Sequence, residues 1–373
     1  DNERVLWLKL QNIKYYSVRG RHWPKFPWVF VEVETDEGIK GFGEVLPYRS
    51  SGVIESLELI KKKLVGRDPT QIESLWEEMF REGLATPAIS GVEIALWDAL
   101  GKSLNTPIHT LLGGRCRDRI AVYLDGFFRG AKYVEEEYVA RALDAVNRGF
   151  RALKMDVDEP IPSGHSLNRT LTLKDLRYTV QMVRAVREAV GDDVQLAIDC
   201  HGAFNVNTAI NLAKKLEPFN LMWIEDPVPH HNLRAMAKVA RNTAIPVCTG
   251  ELLSTRYEFR ELFELQAAEI IMPDVARTGG ILELKKISAA ADTYYIPVAP
   301  HNMVGPLATM ASVQVCACIP NFLTLEFQDG DVPWRDSIVN VPVPIRDGEI
   351  EVPNGPGLGV SLNTQELEKY TVS

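Results

Sequence analysis

Three carboxylates recur at one interval in the middle of the chain. Asp199 closes the apolar run V-Q-L-A-I-D, Glu225 closes M-W-I-E and Glu251 closes P-V-C-T-G-E, so 26 residues separate each acid from the next. Taken singly, an acid just after a strand is as consistent with a solvated loop. Three at matched spacing on successive strand candidates put three like charges in one mouth, where they repel unless a cation intervenes. Oxygen ligands with no Cys or His in the set favour a hard ion, so the reading is one Mg²⁺ held by Asp199, Glu225 and Glu251. The next two strand candidates, I-I-M-P-D and I-P-V-A-P-H, end at Asp274 and His301. An Asp beside a His orients the imidazole and raises its basicity, which makes His301 a candidate general base partnered by Asp274. Glu326 ends the following run, N-F-L-T-L-E, as a further catalytic candidate or a salt bridge at the rim.

Such acids need a scaffold that aims strand ends at one point. From Ile120 onward, short apolar strands alternate with amphipathic helices. Strand candidates are 120–124, 152–157, 194–199, 222–225, 246–250, 269–272, 297–299 and 322–325; helical stretches include 173–190, 206–216, 233–242, 256–265 and 280–292. Repeated βα units predict a closed parallel (β/α) barrel, whose chemistry sits at the C-terminal ends of its strands. Before it, strands over 5–18, 29–35 and 41–45 precede helical patterns over 52–64, 69–80 and 88–104, as in an α+β unit. The expected boundaries are an α+β domain at 1–118, the barrel at 119–341, and a Gly- and Pro-rich tail at 342–373 that leaves the barrel and packs back on the first domain. No glycine fingerprint of a dinucleotide or P-loop fold follows any strand candidate.

With 373 residues, 46% hydrophobic and 24% charged, the chain suits one large barrel plus a smaller partner. A net charge of -9 and the lack of a basic, aromatic-interleaved run argue against nucleic acid. No apolar run is long enough to span a bilayer, and no signal-peptide pattern is present. The five cysteines (116, 200, 248, 316 and 318) show neither zinc-ligand nor redox spacing, and read as reduced packing residues of a cytoplasmic protein.

The runs A-I-D-C-H-G, W-I-E-D-P-V-P, T-G-E-L-L-S-T-R, I-I-M-P-D-V-A-R-T-G-G and A-P-H-N-M-V-G-P resemble, in order, the barrel signatures of the enolase superfamily, most closely its mandelate racemase subgroup. G-V-E-I-A-L-W-D-A-L-G-K and P-I-H-T-L-L-G-G before the barrel are similar to the same family. The resemblance implies a modified (β/α)₇β barrel with an N-terminal α+β capping domain completed by the C-terminal segment. It implies Mg²⁺-assisted removal of a proton α to a carboxylate, with Asp199, Glu225 and Glu251 as ligands and His301–Asp274 as the dyad. Glu326 matches the acid that hydrogen-bonds the substrate carboxylate. A homo-oligomer is also implied. An enolate dianion needs cationic and hydrogen-bonding support, which fits these roles.

His201 lies two residues beyond Asp199, on the same side if the chain stays extended. Two imidazoles at one enolate suggest two proton transfers: removal from the α-carbon, and delivery to a departing β-hydroxyl. The resemblance agrees, since acid-sugar dehydratases of the subgroup often carry D-x-H here; alternatively His201 only hydrogen-bonds a ligand. On the second strand, A-L-K-M-D-V places Asp156 where racemases of this kind carry the second Lys of K-x-K. Lys154 then contacts the substrate carboxylate, or forms an ion pair with Asp156 or Asp199. Candidate substrate contacts are His22 and Trp23 in R-G-R-H-W-P-K-F-P-W, Tyr48 and Arg49 in P-Y-R-S-S-G, and Asp156; His165 lies in a long loop at the same face. The leading expectation is a Mg²⁺-dependent dehydratase of an aldonate or aldarate. A racemase or epimerase of a 2-hydroxy acid is the enzymatic alternative, and a silent sugar-acid-binding protein the non-enzymatic one.

Overall fold

In the computed structural model, residues 8–19, 27–159, 161–164 and 166–371 are described. The first strands form an antiparallel sheet of β1 (Leu10–Val18), β2 (Trp28–Thr35) and β3 (Lys40–Val45). Period-two alternation lets β2 serve two cores. Val29, Val31 and Val33 face α1 (Val53–Leu64), α2 (Ile72–Arg81) and α3 (Thr86–Ser103), while Trp28 and Phe30 join the core on the barrel side. Gly41 and Gly43 of β3 let α3 lie directly on the sheet, since a Cβ at either would overlap the backbone of Ala95 or Gly91. The short α4 (Ile108–Leu111) leads into the barrel.

Eight strand positions close the barrel. In chain order they are β4 (Arg119–Asp125), α5 (Glu135–Asn147), β5 (Ala152–Asp156), α6 (Leu173–Val190), β6 (Gln195–Asp199), α7 (Val206–Leu216), β7 (Ile224–Glu225), α8 (Leu233–Ala240), β8 (Val247–Thr249), α9 (Thr255–Leu265), β9 (Ile270–Ile271), α10 (Ile281–Asp292), α11 (Pro306–Cys318) and β10 (Leu325–Gln328). Adjacent strands from β4 to β9 are parallel, Val298 bridges Ile271 to Phe322 at the seventh position, and β10 returns beside β4. With seven helices between the strand positions and no barrel helix packed behind β10 among the described residues, the closed sheet is a (β/α)₇β barrel. The later strands are shorter than expected: 246–250 pairs over three residues, 269–272 over two and 297–299 at one. Helix α11 carries no amphipathic period because all its residues are buried, between the barrel wall and the capping sheet.

The tail corrects one expectation, because it first adds to the barrel. β11 (Ile345–Arg346) and β12 (Glu349–Glu351) form a hairpin, and β12 pairs antiparallel with Arg119–Ala121 of β4. β5 reaches only Leu124 and Asp125 of β4, so the first half of β4 needs another backbone partner. The chain then crosses to the capping unit: Leu358 N–H donates to Asp98 at 2.9 Å, α12 (Thr364–Leu367) follows, and Thr371 bridges Val18. No helix among the described residues is long and apolar enough to cross a membrane.

Two buried glutamates of the capping unit join it to the barrel. Glu44 accepts from Gly305 N–H at 2.5 Å and Ala308 N–H at 2.9 Å, at the first turn of α11. Glu93 accepts from Ile281 N–H at 2.7 Å, Leu282 N–H at 3.0 Å and Trp97 Nε1–H at 2.7 Å, at the first turn of α10. Each satisfies helix-start donors and meets the positive end of a helix dipole. Glu93→Ala strands these donors in the interface and is expected to cost about 3 kcal/mol of unfolding free energy in a urea titration. A loss under about 1 kcal/mol would show that the contact does not hold the two units together.

Candidate active site

The barrel interior follows from strand parity. Tyr123, Ala197, Trp223, Cys248, Met272 and Ala299 form a buried cluster inside it, whereas Val122, Leu124, Leu196, Ile198, Ile224, Val247, Ile271 and Val298 pack outward under the helices. Two residues beyond five of these interior positions the chain presents Asp125, Asp199, Glu225, Asp274 and His301. β8 departs from the rule. Gly250 occupies the next inward place with φ +127, where a Cβ would sit 2.9 Å from the Phe259 ring, and Glu251 follows in the turn. Tyr48, Arg49, Asp125, Arg129, Lys154, Asp156, Asp158, Asp199, His201, Glu251, His301, Glu326 and Gln328 line one cavity of about 750 Å³ at this end. That volume suits a small organic ligand.

Lys154 is the hub of the acidic ring. Its ammonium lies 2.6 Å from Glu225, 3.2 Å from Asp199 and 3.2 Å from Glu326. Burial alone would lower its pKa, but Glu225, Glu326 and Asp199 outweigh that and hold it well above the lysine value. Of its two foreseen ion pairs, the one with Asp199 is present. Asp199 and Glu225 end neighbouring strands in register. Burial opposes charge on both. His201 and Lys154 nevertheless hold Asp199 below the usual carboxylate range, whereas burial and the Asp199 charge push Glu225 well above it. The two carboxyls lie within hydrogen-bond reach of each other, and the repulsion between their charges is what a divalent cation would relieve. These residues therefore fit a hard cation: the donors are oxygens, and the nearby acids outnumber the cationic side chains.

The expected trio is not drawn to ligating distance, however. Glu225 turns to Lys154, and Glu251 lies 3.2 Å from His301 Nε2. Among the described residues, the group whose potential ligand atoms lie within 4.8 Å of one another is Asp156, Asp199 and His201. Asp226, beside Glu225, is a further buried acid; burial and Glu251 push it up to about 8.

His301 donates or accepts through Nδ1 at 2.6 Å from Asp274, which also accepts from Ala276 N–H at 2.7 Å. With Nδ1–H donating to Asp274, Nε2 faces Glu251 and, at 3.7 Å, Glu326. Burial would lower the imidazole, but Glu326, Glu251 and Asp274 carry it up to about 10. Glu326 accepts from Asn302 N–H at 2.8 Å; Lys154 and His301 overcome its burial and keep it below the usual range. In this arrangement Glu326 accepts hydrogen bonds, and Lys154 beside it carries the protons to donate.

His201 reaches the mouth by a different route from the extended one expected. Its φ is +45, and its N–H turns back onto Asp199 Oδ1 at 2.8 Å, so a tight left-handed turn delivers the ring. That conformation is costly for a non-glycine residue and is sustained here by the Asp199 contact. Nδ1 lies 3.0 Å from Asp158 Oδ1 and Nε2 3.5 Å from Asp199 Oδ2. Burial opposes charge, but Asp199, Asp158 and Asp156 raise its pKa well above the ordinary value and favour the protonated ring. The site thus holds two imidazole–carboxylate pairs.

Tyr48 and Arg49 reach the cavity rim, where Arg49 stacks over Tyr48 at 5.0 Å and Arg277 donates to Tyr48 O at 2.8 Å. Arg21, His22, Trp23, Lys25 and His165 lie outside the described residues. Asp125, Asp158, Asp226 and Gln328 belong to no motif that points to them in the sequence. Parity offered a signal for two of them: Asp125 follows Tyr123 and Gln328 follows Glu326 on inward faces.

The family model described as "Mandelate racemase / muconate lactonizing enzyme, N-terminal domain" matches residues 17–113, and "Enolase C-terminal domain-like" matches residues 137–366. The chain is 39% identical over 364 residues to a D-xylonate dehydratase of Haloferax volcanii, covering 93% of this chain and 86% of that protein. It is 32% identical over 367 residues to a D-gluconate dehydratase of Thermoproteus tenax, covering 96% of this chain and 72% of that protein. The crystal structure of a mandelate racemase/muconate lactonizing enzyme-like protein from Rubrobacter xylanophilus superposes with a TM-score of 0.90 at 37% identity, covering 98% of both chains.

Lys154→Met removes the ammonium that three buried carboxylates share. In chelator-treated protein it is expected to cost about 3 kcal/mol of unfolding free energy. An unchanged urea midpoint and slope would contradict the hub role.

Proposed function

Because the chain belongs to the mandelate racemase / muconate lactonizing enzyme family of the enolase superfamily, we propose that its site dehydrates a sugar acid to a 2-keto-3-deoxy acid. One observation carries the reading: two imidazoles, each paired with its own carboxylate, line the same cavity as Lys154. Abstraction of a proton at C2 needs one of them, and departure of a C3 hydroxyl as water needs the other. Two dehydratase relatives named for five- and six-carbon acids support the substrate class.

The residues divide the work as follows. Lys154 receives the C1 carboxylate at the centre of the acidic ring and offsets part of its charge. His301, held by Asp274 through Nδ1, takes the C2 proton on Nε2. His201, held by Asp158, gives its proton to the C3 oxygen as the C3–O bond breaks. The C2–H electron pair becomes the C2–C3 double bond, water leaves, and the enol tautomerises to the ketone. Asp199, Glu225 and Glu251 are the residues that would hold a Mg²⁺ ion. That ion supplies the positive charge against which the carboxylate and its enolate are stabilised. The five cysteines are unpaired and four of them are buried, which suits a reducing, cytoplasmic setting.

Incubation of aldonates and aldarates with Mg²⁺ should yield 2-keto acid from at least one, and chelation should abolish it. Recovery of C2-inverted substrate without keto acid would instead establish an epimerase. His301→Asn is expected to cut both keto-acid formation and C2 deuterium exchange by about 10³-fold or more. His201→Asn should cut keto-acid formation by about 10²-fold while C2 exchange persists. Equal loss of both activities in His201→Asn would remove it from the leaving-group role. Since His301 acts as a base only when neutral, and its pKa is raised, exchange should increase with pH.

A further inference from the structure

Asp125, Arg129 and Gln328 line the same cavity, and the reaction just described uses none of them. Asp125 and Gln328 are register partners at the C-terminal ends of β4 and β10, the first and last barrel strands. Gln328 Nε2 donates to Asp125 Oδ2 at 2.8 Å. Arg129 closes the triangle, with Nη1 donating to Gln328 Oε1 at 2.8 Å and Nη2 to Asp125 Oδ2 at 3.2 Å. Each contact decides the next: with Oε1 facing a guanidinium, the amide of Gln328 can turn only its NH₂ toward Asp125. The backbone keeps room for the arrangement. Gly126 has φ +73, and a Cβ there would lie 2.7 Å from Arg129 Nε, so a bare residue is needed beneath the guanidinium.

We propose that this triangle is the subsite for the hydroxyl-bearing tail of the substrate, beyond C3, and that it selects an uncharged polyol tail over a second carboxylate. The inference rests on the sugar-acid reading. Asp125 and Gln328 are buried and fixed, while Arg129, about one third exposed, is the member that meets a ligand. Its charge is already answered by Asp125, which also faces Lys154, so the subsite offers directional hydrogen bonds with no net attraction for an anion. A tail hydroxyl can both accept from the guanidinium and donate to a neighbouring oxygen. A terminal carboxylate would approach Asp125 and the acidic ring behind it, where like charge repels.

The test compares ligands on Mg²⁺-loaded protein by calorimetric titration and, where turnover occurs, by keto-acid release. The ligands are D-glycerate, which has C1 to C3 and no tail, a five- or six-carbon aldonate, and the aldarate of equal length. Wild-type protein should prefer the aldonate to both. Arg129→Met is expected to shrink the aldonate-over-glycerate ratio about tenfold or more. Asp125→Asn leaves the guanidinium uncompensated and should move the aldonate-over-aldarate ratio about tenfold toward the aldarate. Gln328→Leu, a milder change, should shrink the length ratio in the same direction as Arg129→Met. Ratios that stay at the wild-type values in folded variants, judged by circular dichroism, would overturn the proposal, as would a wild-type preference for the aldarate. Binding without keto acid in the wild type would defeat the dehydratase reading, yet the binding ratios would still decide the subsite.

Discussion

The structure depends on how one ammonium is shared. Asp199, Glu225 and Glu326 are each almost wholly buried, and Lys154 lies within salt-bridge distance of all three. A buried carboxylate without a partner is driven to take a proton, so this mouth can keep its charges only while positive groups stand among them. Lys154 holds the centre, His301 holds Glu251, and His201 leans on Asp199. The same shortage of positive charge that makes the site costly in isolation suits it to a divalent cation and an anionic substrate.

The barrel alone does not create that environment. Trp28 and Phe30 of the capping sheet pack into the barrel-side core, and Glu44 and Glu93 dock onto the first turns of α11 and α10. Those turns follow strand positions seven and six, which carry His301 and Asp274. The anchoring of the capping unit therefore also steadies the loops that bear the dyad. His201, by contrast, sits on a left-handed turn sustained by its own hydrogen bond to Asp199.

The two imidazoles differ in their surroundings. His301 is fully buried and fixed by a short contact to Asp274. His201 is about one third exposed and surrounded by Asp156, Asp158 and Asp199, which stabilise its protonated form. Both rings favour the protonated form, so what distinguishes them is access: an exposed ring is suited to giving a proton to a departing group, and a shielded, oriented one to taking a proton once its own has left. The Asp125–Gln328–Arg129 triangle lines the same cavity as Lys154 and pairs its one guanidinium with a buried carboxylate.

What the sequence determined by itself was whatever depends on periodicity. Strand and helix repeats, the 26-residue recurrence of Asp199, Glu225 and Glu251, and the paired ends at Asp274 and His301 are local facts of the chain, and they suffice for the barrel and the order of residues around its mouth. The hidden element was the one whose environment erases the period. Helix α11 is buried all round and so has no amphipathic pattern to read, whereas the seventh strand, expected at 297–299, is present but pairs at Val298 alone. Only the tertiary structure decided which charges meet. Lys154 chose Glu225, Asp199 and Glu326 over its strand neighbour Asp156; Glu251 went to His301; and Asp158, in a long loop, became the partner of His201. The physical reason is that parity says which way a side chain points, whereas ion pairing depends on distances set by strand stagger, turn conformation and burial, none of which is encoded within a single element.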